Sequence, residues 1–294
     1  MPRIAVLGGT GYLASLIKNQ NNSRHNKYFF FSRNKKSKNF INFSNFENSI
    51  QNLKKFDLII YLLGHDQDQV KKKIYLIEQK NKITTNICNL CLNYNIKLIC
   101  ISTMQIYKNY GKNDILINSK INLKNSYARS HYETEKIIKK IFLKKKNIFV
   151  ILRLGNVFGF RKYFNLNGFK NNIIHELCNS SLRFNKIIIK NGIIQRTFIP
   201  SKIFVNIIDM IIKKKIYDNS IINISYKVYN LKEIAFLIKK RFKVIYNKNI
   251  KIQINKFKFE RKKKIYVKSN FKFKFRDYNI NKELDEILKK IKQN

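Results

Sequence analysis

The feature that most constrains the fold is a glycine-rich segment near the N-terminus, GGTGYLA, which runs from Gly8 to Ala14. It follows the mostly apolar run Arg3–Leu7, which predicts a buried strand, and the stretch 12–18 after its glycines has the apolar periodicity of a helix. In the spacing Gly8-x-x-Gly11-x-x-Ala14, the first glycine allows a sharp turn and the second lets backbone N–H groups approach a pyrophosphate. A small third residue lets the helix pack on the sheet. The segment therefore predicts a dinucleotide-binding loop in which Tyr12 and Leu13 also contact the cofactor.

Apolar runs and amphipathic stretches alternate along the first 160 residues. Further strands are predicted at 28–32, 57–63, 97–102 and 148–154. Helical periodicity covers most of 69–94 and 127–144. Continuous apolar strands that alternate with helices indicate a parallel sheet covered on both faces. The predicted fold class is therefore a doubly wound α/β (Rossmann) fold, with a ligand crevice at the carboxyl ends of the strands.

The remainder of the chain has a looser pattern. Short strands are predicted at 186–189, 221–224 and 250–254, and helices at 169–178, 202–213, 231–240 and 282–292. We interpret residues 1–160 as the dinucleotide-binding domain and 161–294 as a smaller, mixed α/β substrate lobe. Some segments of this lobe are expected to return to the first sheet.

The end of the second strand bears on cofactor choice. An acidic residue there would bind the ribose 2′-hydroxyl of NAD, whereas a basic residue would accept the 2′-phosphate of NADP. The sequence after this strand contains no acid, and Arg33 stands at the expected position. NAD and NADP both stay open, and Arg33 favours NADP slightly.

The charge of the chain is unusual. Its 294 residues include 61 Lys and Arg against 17 Asp and Glu, a formal net charge of +44. Such a charge is typical of proteins that bind nucleic acid or anionic membrane surfaces. However, the abundant Lys, Asn and Ile have A/T-rich codons, Trp is absent, and the lysines are spread over the whole chain. We therefore interpret the charge as mutational drift, and nucleic-acid binding remains a less favoured alternative.

The cysteines and the hydropathy indicate the cellular setting. Four cysteines in a chain of this length form no disulfide framework, and Cys88-x-x-Cys91 has no second pair to complete a zinc site. No cluster of His, Cys, Asp and Glu suggests a metal. No run reaches 18 apolar residues, so no membrane insertion is expected. These observations favour a reducing, cytoplasmic setting.

Several segments occur in the order found in one known family. They are the glycine loop, DLIIYLLG at 57–64, ISTMQIY at 101–107, RLGNVFG at 153–159, NGIIQRTFIP at 191–200 and a late helix from residue 229. With these segments the chain resembles the extended short-chain dehydrogenase/reductases, the group that contains NAD-dependent sugar epimerases and dehydratases. The resemblance spans nearly the whole chain and implies the same fold.

The resemblance implies a catalytic group of Ser or Thr, Tyr and Lys. Thr103 matches the hydroxyl residue and Tyr127 matches the tyrosine that exchanges a proton with a sugar oxygen. His131 stands four residues later, where the family has Lys, and shares a helical face with Tyr127. It could still reach the nicotinamide ribose, but a histidine is mostly neutral at pH 7 and lowers a phenol pKa less than a lysine does. Leu63 matches the strand end that runs beside the cofactor.

A second reading frame exists in the same segment. Tyr132 and Lys136 also have the spacing Tyr-x-x-x-Lys. This frame requires a slip of more than one helical turn and loses the neighbouring Ser and Glu. Tyr127 with His131 is the favoured frame, and the alternative that neither is catalytic stays open.

The resemblance also points to a substrate. Dehydratases of the family carry an acidic pair where this chain has Met104 and Gln105, so dehydration is disfavoured. Arg196 is the candidate for binding a substrate diphosphate, because a planar guanidinium suits phosphate oxygens. Asn156 is implied to line the sugar pocket. The expected function is a nucleoside-diphosphate-sugar epimerase or 4-keto reductase, with a role in polysaccharide biosynthesis implied at the level of the family.

Two functions from other classes remain. Because a relative without the lysine can keep the dinucleotide without catalysis, the chain could be a non-catalytic sensor. An RNA-binding member of the same fold would instead use the basic surface, and its affinity would fall steeply with salt. The family resemblance further implies that a homodimer is a plausible assembly.

Overall fold

A computed structural model describes most of the chain. It covers residues 1–20, 26–32, 50–64, 75–108, 110, 112–160, 172–192, 194–255, 264–269, 271 and 278–291. Within these ranges, no helix combines the length and apolar character that a membrane span requires.

A parallel sheet organises the first part of the chain, as the alternating pattern predicts. Among the described residues it has six strands in the order β2-β1-β3-β4-β5-β9. The strands are β1 (Arg3–Leu7), β2 (Lys27–Phe31), β3 (Leu58–Tyr61), β4 (Lys97–Thr103), β5 (Phe149–Leu154) and β9 (Ser220–Ile224). The helices that follow the early strands are α1 (Tyr12–Gln20), α2 (Tyr75–Tyr94) and α3 (Ser126–Ile141).

Both faces of this sheet are buried. Successive side chains of a strand point to opposite faces, and in β1 Ile4 and Val6 join one apolar cluster while Ala5 and Leu7 join another. Helix α1 contributes to the first cluster, and α2 and α3 contribute to the second. The doubly wound fold class is thus confirmed.

The strand order creates a crevice at a defined place. The chain passes from β1 outward to β2 and then returns to the other side of β1 as β3. Such a reversal leaves a crevice outside the carboxyl ends of the strands. The loop after Leu7, the segment after Tyr61 and the end of β4 at Thr103 therefore lie at the same edge of the sheet.

The second part of the chain forms two smaller sheets around a third apolar cluster. The elements are β6 (Asn156–Phe158), α4 (Ile173–Phe184), β7 (Lys186–Ile189), β8 (Gln195–Pro200), α5 (Ser201–Lys213), β10 (Lys227–Asn230), α6 (Leu231–Tyr246), β11 (Lys251–Ile254) and α7 (Ile280–Ile291). Strand β8 lies between β10 and β6, while β11 pairs with β7. Two segments lie with the first sheet: β9 pairs with β5, and α5 packs against α1.

Several element boundaries differ from the predicted ones, and two of these differences show the physical reasons clearly. The helix predicted at 169–178 is described as Ile173–Phe184: the Asn172 side chain accepts a hydrogen bond from the Ile174 N–H, and Asn185 ends the helix in the left-handed conformation. The strand predicted at 57–63 is only Leu58–Tyr61. Asp57 lies before it, and its carboxylate accepts a hydrogen bond from the Arg3 N–H at 2.7 Å.

Candidate functional site

The glycine loop connects β1 to α1 and is tied to the end of β2. The N–H groups of Gly8 and Gly9 both donate to the Phe31 carbonyl, at 3.2 and 2.7 Å. Gly8 has a φ of +89°, which favours glycine. A Cβ on Gly9 would lie 2.9 Å from backbone atoms of β2, so only glycine fits there without a shift. Because the first N–H groups of a helix lack acceptors within the helix, this loop fits the pyrophosphate of a dinucleotide.

Tyr12 and Leu13 begin helix α1 directly after the loop. The Tyr12 hydroxyl donates to the Gly159 carbonyl at 2.9 Å, and its ring meets the His175 ring edge-on at 5.6 Å. A ring nitrogen of His175 lies 3.0 Å from the same carbonyl. The phenol of Tyr12 is therefore engaged in joining the loop to the second part of the chain. Leu13 packs against the first apolar cluster.

The other predicted cofactor contacts lie at the ends of β2 and β3. Arg33 is outside the described residues. Leu63 follows β3, is half-buried and packs against the second apolar cluster. A Cβ on the next residue, Gly64, would lie 3.8 Å from Nε2 of His131, so the backbone after β3 passes beside this imidazole.

Thr103 and Tyr127 come together although 24 positions separate them in the chain. Thr103 ends β4, and its hydroxyl accepts a hydrogen bond from the Gln105 N–H at 3.2 Å. Tyr127 lies in the first turn of α3, where the Asn125 side chain caps its N–H at 2.9 Å. The Thr103 side chain lies close to the Tyr127 phenol. Burial raises the pKa of this phenol above its usual value of 10, and the nearby Thr103 hydroxyl opposes that rise.

His131 lies one helical turn after Tyr127, and the two ring centroids are 4.7 Å apart. Only 8% of His131 is exposed. Burial and the positive charge of Lys80 hold the pKa of this imidazole well below 6.5, against a hydrogen bond to the Ile101 carbonyl. The imidazole is thus uncharged at neutral pH, so it adds no cation to the site.

The residues of the second reading frame have different surroundings. Tyr132 packs against the small apolar cluster around Met104 and Ile106. The Lys136 side chain is 53% exposed and pairs with Glu133 at 2.9 Å. Lys136 therefore lies on the surface of α3 rather than beside Thr103.

The sequence analysis missed a buried charge network that connects α3 to β4 and β5. The Arg153 guanidinium donates two hydrogen bonds to the Glu135 carboxylate, at 3.0 and 2.6 Å, and both residues are at most 4% exposed. The hydroxyl of Ser102 donates to the same carboxylate at 2.5 Å. Arg153 also donates to the Tyr107 hydroxyl at 2.7 Å, which in turn donates to Asn223 at 2.8 Å. A lone arginine within the apolar run of β5 was the available signal, because such a charge needs a buried partner.

The predicted substrate residues Asn156 and Arg196 lie on neighbouring strands. Asn156 donates to the Thr197 carbonyl at 3.0 Å and to the Tyr110 hydroxyl at 3.2 Å. The charge of Arg196 lowers the pKa of the Tyr110 phenol against the larger effect of burial. The Thr197 hydroxyl reaches the sulfur of Met104, which directly follows Thr103. These contacts connect Asn156 to the end of β4 through Thr197, and Tyr110 is a member that the sequence analysis did not find.

Comparison of the sequence with family models gives one assignment. Residues 4–225 match the model of the NAD dependent epimerase/dehydratase family. A search of curated protein sequences finds no significant match.

Solved structures share the fold over nearly the full length of the chain. A UDP-N-acetylglucosamine 4-epimerase from Methanobrevibacter ruminantium M1, in complex with UDP-N-acetylmuramic acid, has a TM-score of 0.78 at 18% identity, covering 100% of this chain and 99% of its own. The UDP-N-acetylglucosamine 4-epimerase from Bacillus cereus has a TM-score of 0.76 at 19% identity, covering 99% and 100%. A UDP-glucose 4-epimerase from Bifidobacterium longum, in complex with NAD+ and UDP, has a TM-score of 0.76 at 14% identity, covering 99% and 98%.

Proposed function

Because the chain belongs to the NAD-dependent epimerase/dehydratase family, we propose that it is a nicotinamide-dependent enzyme that acts on a nucleoside-diphosphate sugar, as an epimerase or a 4-keto reductase. One observation carries this proposal: the Tyr127 phenol lies next to Thr103 at the carboxyl end of β4, on the sheet edge that also bears the glycine loop. The solved structures with this fold include enzymes whose substrates are UDP-sugars, which supports the substrate class.

In the proposed mechanism, Tyr127 is the acid and base. Its hydroxyl exchanges a proton with the reacting sugar oxygen, and the Thr103 hydroxyl binds the same oxygen. A bound nicotinamide dinucleotide would supply a hydride acceptor and donor. The glycine loop, Leu13 and Leu63 would hold this cofactor, and His131 would contact its ribose as an uncharged hydrogen-bonding group.

The substrate side of the site is proposed to consist of Asn156, Arg196 and Tyr110. The guanidinium of Arg196 binds the diphosphate, and Asn156 faces the sugar. Because Met104 and Gln105 provide no acid or base next to Thr103, we propose epimerisation or reduction rather than dehydration.

The cofactor preference is a separate proposal. The family is NAD-dependent, whereas Arg33 favours the 2′-phosphate of NADP. Titration of the purified protein with NAD(H) and NADP(H) tests this preference, and Arg33→Asp should weaken NADP(H) binding about tenfold or more while sparing NAD(H). Equal NADP(H) affinity in the variant would show that Arg33 has no part in the selection.

The catalytic assignment is tested by removing one hydroxyl. Tyr127→Phe should lower kcat on the accepted nucleotide sugar by about 10²–10⁴-fold, because the proton carrier is lost, and should leave dinucleotide binding unchanged. Tyr132→Phe is the matched control, since it removes a hydroxyl five residues later on the same helix. Full activity in Tyr127→Phe together with loss in Tyr132→Phe would transfer the assignment to the second frame.

A non-catalytic sensor is the second candidate function. The raised pKa of Tyr127 and the uncharged His131 favour it, since His131 adds no positive charge that would stabilise a Tyr127 phenolate. A sensor would bind the dinucleotide tightly and turn over no nucleotide sugar at any pH.

A further inference from the structure

A buried lysine contacts Ser130, the residue that precedes His131. Lys80 is in the middle of α2, which packs against α3, and it is only 2% exposed. Its ammonium donates to the Ser130 hydroxyl at 3.3 Å and to the Ser130 carbonyl at 3.4 Å. The lysine on α2 is thus fixed to the residue that immediately precedes His131 on α3.

This ammonium has no carboxylate partner of its own within the described part of the chain. The charged and titratable groups around it are Glu135 and His131 on α3 and Cys100 on β4. Glu135 is already paired with Arg153 through two hydrogen bonds. Burial lowers the pKa of Lys80 to about 8, although Cys100 and Glu135 favour the charged form. Lys80 therefore remains mostly protonated at pH 7.

A buried cation without an ion pair is costly, and lysines are almost never fully buried unless they are paired. An apolar residue could occupy the same interior position at lower cost. Such a residue would place no charge on α3, whereas the Lys80 ammonium lies against Ser130, the residue before His131. The position of Lys80 therefore points to an electrostatic role.

We propose that Lys80 is a positioning residue of the candidate site: its ammonium, fixed to Ser130 on α3, supplies from α2 the positive charge that α3 lacks at residue 131. His131 then presents Nε2 near Gly64, at the proposed cofactor crevice. The consequence for catalysis rests on the proposed function, but the coupling between Lys80 and His131 does not.

The coupling can be measured without cofactor or substrate. The chain has only four histidines, so the His131 imidazole can be followed by ¹H–¹⁵N NMR during a pH titration and assigned with His131→Gln. In Lys80→Met we expect the pKa of His131 to rise, because an adjacent positive charge is removed. Lys82→Met is the matched control: it removes the same charge from an exposed position on the same helix and should leave this pKa unchanged.

Two results of this titration would overturn the proposal: an unchanged pKa of His131 in Lys80→Met, or an equal shift in Lys82→Met. Lys80→Gln retains a hydrogen-bond donor toward Ser130 without the charge. It should raise the pKa in the same way, and it serves as the test if Lys80→Met does not fold.

The catalytic consequence is tested by moving the cation. With Lys80 present, His131→Lys places a second ammonium nearby and should lower kcat. In the Lys80→Met background, which alone should lose about tenfold or more in kcat, the same substitution should restore activity. If His131→Lys has the same effect in both backgrounds, the catalytic part of the proposal is wrong. If no variant, including the wild type, turns over a nucleotide sugar while the NMR shift is present, the proposed function fails and the coupling stands.

Discussion

Helix α3 contacts two buried cations, Lys80 through Ser130 and Arg153 through Glu135. The two cations have opposite environments. Arg153 forms two hydrogen bonds with Glu135, and neighbouring hydroxyls complete the network. Among the described residues, Lys80 donates hydrogen bonds to the hydroxyl and carbonyl of Ser130 and to no carboxylate. Fully paired charges can hold strands and helices in register, whereas an unpaired buried charge costs stability. The comparison suggests that the Arg153 network serves the fold and that Lys80 serves the site.

The largest expected change in the free energy of unfolding comes from breaking the Arg153–Glu135 ion pair. Glu135→Ala leaves the Arg153 guanidinium buried without its carboxylate, and the free energy of unfolding should fall by about 3–5 kcal/mol. Urea denaturation of the folded protein measures this loss.

Arg241→Ala is the control for Glu135→Ala. It removes the salt bridge between Arg241 and Asp285, whose side chains are 20% and 23% exposed, respectively. The free energy of unfolding should fall by at most about 1 kcal/mol. Equal losses in the two variants would remove the distinction between a network that organises the fold and an ordinary ion pair.

Removal of the unpaired cation, Lys80, should raise the free energy of unfolding rather than lower it. The pKa of Lys80 falls from 10.5 to about 8, and this difference corresponds to a cost of about 3 kcal/mol at pH 7, below both values. Lys80→Met relieves that cost but loses the bonds to Ser130, whose carbonyl still accepts from Thr134. We therefore expect the free energy of unfolding to rise by about 1–3 kcal/mol. A loss as large as that of Glu135→Ala would instead make Lys80 a structural residue.

Each buried histidine should add an acid-dependent loss of stability, with a slope of at most about 1.4 kcal/mol per pH unit. Burial lowers the pKa of His175 to about 4, and burial together with Lys80 lowers the pKa of His131 well below 6.5. Both histidines are uncharged in the folded state. The unfolded chain therefore binds more protons once the pH falls below 6.5, and stability is lost from there down to the folded pKa values.

The slope of stability against pH between 6.5 and 5 isolates these protons. His131→Gln should reduce the slope by about one proton, equivalent to 1.4 kcal/mol per pH unit. Lys80→Met should also reduce it, because the pKa of His131 moves toward its unfolded value. An unchanged slope in His131→Gln would mean that His131 already takes up a proton in the folded state.

The sheet and its helices could be predicted from local sequence patterns because buried strands and tight turns require particular residue types. A buried parallel strand needs a continuous apolar run, and the turn into α1 needs glycine at Gly8, where φ is +89°. The same logic explains why β1, β4, β5 and the glycine loop were predicted close to their observed bounds. Helix ends were less accurate, since they depend on single caps such as Asn172.

The sequence by itself determined the parallel α/β fold, the glycine loop, and the presence of Thr103, Tyr127 and His131 at family-like spacings. Only the tertiary structure decided which distant groups face each other: Tyr110 with Asn156, Arg153 with Glu135, and Lys80 with Ser130 beside His131. The reason is physical. Strand and helix patterns arise from neighbours in the chain, whereas the charge state of a buried group depends on burial and on residues that lie about 20–50 positions away.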